Sequence, residues 1–63
     1  MTRVVLVHTN DEWTLLRPGS RGVLVGRRTT PFGDTMIDVE WDDGSSLSLI
    51  AGVDRWTYEE ITN

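Results

Sequence analysis

His8, Asp11 and Asp54 are the residues from which acid–base chemistry would be built: an imidazole titrating near neutrality, with a carboxylate to orient it. No Ser, Cys or third orienting group stands at a motif position beside them, so the expectation for His8 is a structural or solvated role at a strand end. Asp42, Asp43 and Asp54 are the carboxylates from which a cation site would be built. The Asp42, Asp43, Gly44 string lacks the ligand spacing of a calcium loop, and turn chemistry accounts for it. The chain has no cysteine and one histidine, which removes thiolate nucleophiles and zinc–thiolate sites. No catalytic residue, metal site or cofactor is therefore expected, and the chain is read as non-enzymatic.

Two constellations suit recognition instead. Arg21, Arg27 and Arg28 form the single basic cluster and have the chemistry for phosphate. Asp34 and Asp38 stand close to them in sequence, which favours a solvated, internally paired face. The aromatics carry more. Trp13 falls in a long polar loop, and Trp56 and Tyr58 share one face of a final strand, with acidic neighbours Asp11, Glu12, Glu59 and Glu60. Aromatic faces edged by carboxylates receive a Lys- or Arg-bearing peptide through cation–π and charge contacts. The expected partner-binding set is Trp13, Trp56, Tyr58, Asp11 and Glu12; the competing reading has Trp13 and Trp56 packing on each other to close a small core.

These residues need a scaffold, and residues 37–49 (IDVEWDDGSSLSL) specify its centre. Ile37, Val39 and Trp41 alternate with acidic residues, and Leu47 and Leu49 alternate with serines. That is period two on both sides of a turn, the pattern of a β-hairpin with one buried face. A two-residue loop at Asp43 and Gly44 splits the apolar residues between faces, because a one-residue slip flips every side chain. A three-residue loop, Asp42, Asp43 and Gly44, sets Val39 against Leu47 and Ile37 against Leu49, with Gly44 left-handed. The spacing selects the second.

The remaining chain supplies the other walls. Residues 3–9 (RVVLVHT) make a strand with Val4 and Leu6 on one face and Val5 and Val7 on the other. Residues 10–18 make a long loop, expected to fold over the core through Trp13, Leu15 and Leu16. Pro18 and Gly19 mark a turn. Residues 22–28 form a second strand, with Leu24 inward and a bend or bulge at Gly26. Residues 29–35 read as a loop, with Phe32 as a lid on the core. Residues 51–54 form a tight turn, one turn of 3₁₀ helix, in which Asp54 caps the backbone or pairs with Arg55. Residues 55–61 form the last strand. The fold class is all-β: a small five-stranded SH3-like barrel with a long first loop and a short 3₁₀ turn before the last strand, in one domain of 63 residues.

Several of these residues also match a known pattern. Arg3, Val4, Leu6, Thr9, Asp11, Thr14, Leu16, Pro18, Gly19, Gly22, Val39, the run Trp41, Asp42, Asp43, Gly44, Ser45, then Leu47, Leu49, Gly52, Asp54, Arg55 and Trp56 resemble a family of small SH3-like domains of unknown function. That family comes from bacteria, especially actinobacteria, and their phages and mobile elements. The likeness covers nearly the whole chain; residues 27–35 are longer than usual for the family. It implies the barrel and assigns no activity.

The net charge is −4, with six arginines and no lysine. This balance argues against non-specific nucleic-acid binding, which depends on phosphate neutralisation. No apolar run approaches the roughly 18 residues of a transmembrane helix. The run at residues 4–7 is too short for a signal-peptide core, so the expected compartment is the cytoplasm, that of the host if the protein is phage-encoded. The resulting expectation is a small phage- or mobile-element-encoded module that binds a host or phage protein of basic character. The alternatives are a nucleic-acid-associated barrel of the KOW kind using Arg21, Arg27 and Arg28, and an assembly subunit forming a weak homo-oligomer through Val5 and Val7.

Overall fold

Strands form where the sequence alternates. The structure is a computed structural model, describing the backbone of residues 1–60 and the side chains of residues 1–59. It contains β1 (Thr2–His8), β2 (Arg21–Thr29), β3 (Thr35–Trp41), β4 (Leu49–Ile50) and β5 (Arg55–Glu60). All neighbours are antiparallel, in the order β4-β3-β2-β1-β5. The expected last strand reached Ile61, which lies outside the described residues.

The central hairpin has the register that its apolar spacing demands. Ile37 pairs with Leu49, and Glu40 bridges Ser46. Gly44 sits at φ +88° and its amide donates to the Trp41 carbonyl, so the loop is Asp42, Asp43 and Gly44. The inner row then builds the core: Val4 and Leu6 from β1, Ile37, Val39 and Trp41 from β3, Leu49 from β4, and Leu16 from the first loop. Leu24, Leu47 and Trp56 pack against it. The return strand is shorter than its sequence pattern. Leu47 gives its carbonyl to the Trp41 indole N–H at 2.9 Å and the Ser48 hydroxyl donates to Asp38, which leaves a two-residue β4.

The β2–β3 pairing slips by one residue between Leu24 and Gly26, the expected bulge. Beyond it the two strands continue, and residues 29–35 are not a loop as expected. Thr29 pairs with Thr35, and Pro31, Phe32 and Gly33 close a second three-residue turn with Gly33 at φ +88°. The turn has the geometry of the Asp42, Asp43, Gly44 loop. Only three residues of β2 pair with β1, so this end of the hairpin runs on past β1. Phe32, expected as a lid, is 92% exposed at its tip.

The sheet is barrel-like and not closed. Among the described residues β4 and β5 are its two edges, joined by the turn at residues 51–54 and the local bridge between Ala51 and Asp54. That turn is not 3₁₀ helix. The Val53 amide does donate to the Ile50 carbonyl, but Gly52 stands at φ +88°, outside the helical region. Two ion pairs cross diagonally over an intervening strand. Arg3 on β1 grips Asp42, with Nη1 at 3.0 Å from Oδ1 and Nη2 on Oδ2, and Arg21 on β2 reaches Glu59 on β5 at 3.7 Å. The clamp on Asp42 raises the Arg3 pKa further, so its charge is permanent.

Candidate functional site

Two tight anchors hold the first loop. At its start the buried Asp54 carboxylate, 8% exposed, collects three hydrogen bonds. Oδ1 accepts from the Thr9 hydroxyl at 2.9 Å and the Asn10 amide at 3.1 Å; Oδ2 accepts from the Ile50 amide at 2.9 Å. Asp54 is thus a backbone cap tying the first loop to β4, and no ion pair joins it to Arg55 among the described residues. At the loop's end, residues 17–20 form a turn with Gly19 at φ +95°, and the Leu6 amide and carbonyl hold Ser20 and Gly19 at 2.8 and 2.7 Å.

Between the anchors the loop fixes itself locally. Asp11 accepts the Trp13 amide at 2.9 Å, the Asp11 amide donates to the Thr9 hydroxyl at 3.2 Å, and the Leu16 amide donates to Thr14 at 3.2 Å. Short polar side chains that bond the backbone two residues on make turns without help from the core. The consequence corrects the expectation that three apolar residues fold inward. Leu16 is buried, while Trp13 is 92% and Leu15 81% exposed. Leu15 and Leu16 are adjacent in extended chain and point opposite ways.

The expected binding residues fall on two elements. Asp11, Glu12 and Trp13 lie on the first loop and are exposed. Trp56 and Tyr58 lie on β5, opposite Leu6 and Val4 in the pairing. Trp56 is half-buried against the core. Tyr58 is partly exposed and its hydroxyl accepts from Arg27 Nη2 at 3.3 Å. A shallow groove of about 400 Å³ runs beside the start of β5, walled by Val7, Ala51, Gly52, Asp54, Arg55, Trp56 and Thr57. Neither Trp13 nor Tyr58 is among its walls. Leu15 and this groove were missed in the sequence; the Leu15–Leu16 alternation held the signal for the first.

The other constellations separate. Asp42 is held by Arg3, Asp43 accepts the Ser45 amide at 2.8 Å, and Asp54 faces inward. The Ser45 bonds hold the Asp43 carboxyl below its usual pKa. His8 Nε2 lies 3.0 Å from Asn10 Oδ1. Among the described residues, no three His, Cys, Asp or Glu side chains gather as metal ligands would. The three arginines of the basic cluster each have a different partner: Glu59 for Arg21, Tyr58 for Arg27 and Asp38 for Arg28. Arg28 and then Ser48 depress the Asp38 pKa.

Residues 1–58 match the family described as Domain of unknown function (DUF4314). The chain belongs to the DUF4314 family. No curated protein and no solved structure matches it. Within this member of DUF4314, Thr9, Asp11, Thr14, Pro18, Gly19 and Asp54 all serve to fix the first loop, and Trp13 and Leu15 are what the fixed loop displays. No helix among the described residues is long and apolar enough to cross a membrane.

Proposed function

We propose that the chain is a non-enzymatic protein-binding module whose contact residues are Trp13 and Leu15. One observation carries this reading: two large apolar side chains stand almost fully exposed on a loop whose backbone is pinned at both ends and in the middle. A pinned loop loses little conformational entropy on binding, and preorganisation of this kind favours affinity. Trp is the residue most enriched at interface hot spots. Glu12 on the same loop and the net charge of −4 favour a basic partner and speed its encounter. A small protein of a phage or mobile element, acting on a host or phage protein in the cytoplasm, fits this description. The scattered pairing of Arg21, Arg27 and Arg28 gives no comparable support to a nucleic-acid role.

The test is capture from a bacterial host lysate by wild type and by Trp13→Ala in parallel, followed by affinity measurement on each purified candidate. A true partner loses at least about 1 kcal/mol of affinity with Trp13→Ala, the usual hot-spot threshold, while circular dichroism stays unchanged. If every captured protein binds the variant as tightly as wild type, the loop is not the contact.

A further inference from the structure

The two edges of the open sheet differ in a way that matters. An unpaired edge strand is a template for another strand, and proteins blunt it by shortness, Pro, charged side chains (Lys above all) or a bulge. β4 is blunted by its two-residue length. β5 is six residues long, RWTYEE, with no Pro and no Lys and with charges of both signs that can pair across a strand interface, and among the described residues β1 is its single partner. The bulge in that pair is between Leu6 and His8, so its extra residue, Val7, is in β1 and not in β5.

We propose that β5 is a self-pairing edge, at which two copies of the chain join antiparallel across residues 55–59 about a two-fold axis at Thr57. Register selects this arrangement. With Thr57 opposite Thr57 of the second copy, Arg55 faces Glu59 and Glu59 faces Arg55, while Trp56 faces Tyr58 and Tyr58 faces Trp56. Opposite charges, paired aromatics and facing threonines are the three kinds of cross-strand pair that stabilise a sheet. Centring on Trp56 sets Arg55 against Thr57, and centring on Tyr58 sets Thr57 against Glu59; neither brings the opposite charges together. The side chains suit the role. Arg55, Thr57 and Glu59 are exposed, Tyr58 is 46% exposed, and Arg55 has no carboxylate partner among the described residues. Among the described residues Glu59 pairs with Arg21 at 3.7 Å, both about half exposed, and stands opposite Arg3 in the β1–β5 register. The incoming strand would also run along the groove that Val7, Gly52 and Trp56 line. Such a contact is isologous, closes at two copies and leaves no further edge of β5. One strand pair buries less than the roughly 1,200 Å² of a stable interface, so the dimer is weak and concentration-dependent. This inference is independent of the Trp13 reading, because β5 does not carry the first loop.

The experiment is sedimentation equilibrium of the full chain from about 10 μM to about 1 mM, a range that brackets weak affinities. The weight-average mass should climb from 7.1 kDa towards twice that value. Arg55→Glu, which sets like charges against each other twice per dimer, should move the transition to at least tenfold higher concentration. The double variant Arg55→Glu/Glu59→Arg should bring it back, and Thr57→Lys, which places two ammonium groups at the axis, should abolish it. Circular dichroism checks that each variant folds. A wild-type mass of 7.1 kDa at every concentration overturns the proposal and leaves β5 open to a strand from another protein. Dimerisation that ignores the charge reversal or Thr57→Lys also overturns it, and moves the contact to Val5 and Val7 or to the Trp13 loop.

Discussion

Replacing Asp54 with alanine tests how the first loop is held. The carboxylate is buried and accepts from the Thr9 hydroxyl, the Asn10 amide and the Ile50 amide. In Asp54→Ala the Thr9 hydroxyl can rotate towards water, but the two backbone amides cannot. An unsatisfied buried donor costs about 1–3 kcal/mol. Relief from desolvating the charge offsets part of that, which leaves an expected loss of about 3 kcal/mol. A chain of this length has a total stability of only about 3–9 kcal/mol. Asp54→Asn keeps an oxygen for Thr9 and Asn10 but turns an NH₂ group on the Ile50 amide, donor against donor, so about 1–3 kcal/mol should go. Urea unfolding followed by Trp fluorescence reads both variants. With a slope near 1 kcal/mol per molar urea for so small a domain, the alanine midpoint should fall by about 3 M or the variant should begin unfolded. Hydrogen exchange supplies the local check: in Asp54→Asn the Ile50 amide should lose more protection than the Asn10 amide. An alanine variant within about 0.5 kcal/mol of wild type, the range of an ordinary surface substitution, refutes the role given to Asp54.

The two strand glycines of β2 predict opposite outcomes. A Cβ at Gly22 would lie 2.6 Å from the Glu40 carbonyl oxygen, so Gly22→Ala should cost about 1–3 kcal/mol or more by overpacking; at Gly26 the nearest atom is 3.5 Å away, and Gly26→Ala should be nearly neutral in the same urea titration. Gly44→Val and Gly33→Val each place a β-branched residue at φ +88°, which should cost about 1–3 kcal/mol in thermal melts; equal melting temperatures would mean the loops adopt another geometry. Asp38 has its pKa lowered by Arg28 and Ser48, so its contribution to stability is present above the unfolded value of 3.8 and is lost as pH falls through the lower folded value. Asp38→Asn should therefore make stability less dependent on pH below 3.8 and show its full cost at neutral pH; an unaltered acid limb would show that the Arg28 pair does not persist in solution.

What the sequence made legible, and what it hid, follows from the range of the forces involved. The register of the Ile37–Leu49 pair was readable because burial of one face and a left-handed Gly44 act together over a dozen residues, and just one loop length satisfies both. The bulge at Gly26 and the turn at Gly19 are local in the same sense. The second hairpin uses an identical loop but was not legible. Its strand ends project past the core, so Thr29 and Thr35 carry no apolar alternation to announce a strand. Closure was not legible either, since period two separates inside from outside without saying whether β4 meets β5. The site showed the same limit. The size of Trp13 and Leu15 argued for packing, and local bonds from Asp11 and Thr14 decided otherwise.

The distribution of apolar residues ties these points to function. Seven large apolar side chains are buried in the core, and eight others, Met1, Val7, Trp13, Leu15, Val25, Phe32, Val53 and Tyr58, are exposed among the described residues. Scattered exposed apolar residues need no explanation on a large protein. A domain with so small a core has few to spare, and here the polar bonds of the first loop turn Trp13 and Leu15 outward. The two proposals use this surface without competing for it, because the loop and the β5 edge are different elements. Each contact alone is small and therefore weak. Pairing through β5 would carry two Trp13 loops on one particle, related by the two-fold axis. A partner with two copies of the recognised surface would then be bound with the gain of a second, intramolecular contact, which raises avidity by orders of magnitude where the geometry allows both to engage. If both proposals hold, the open sheet would serve recognition: the edge left unpaired by the absence of closure would make a weak loop contact sufficient.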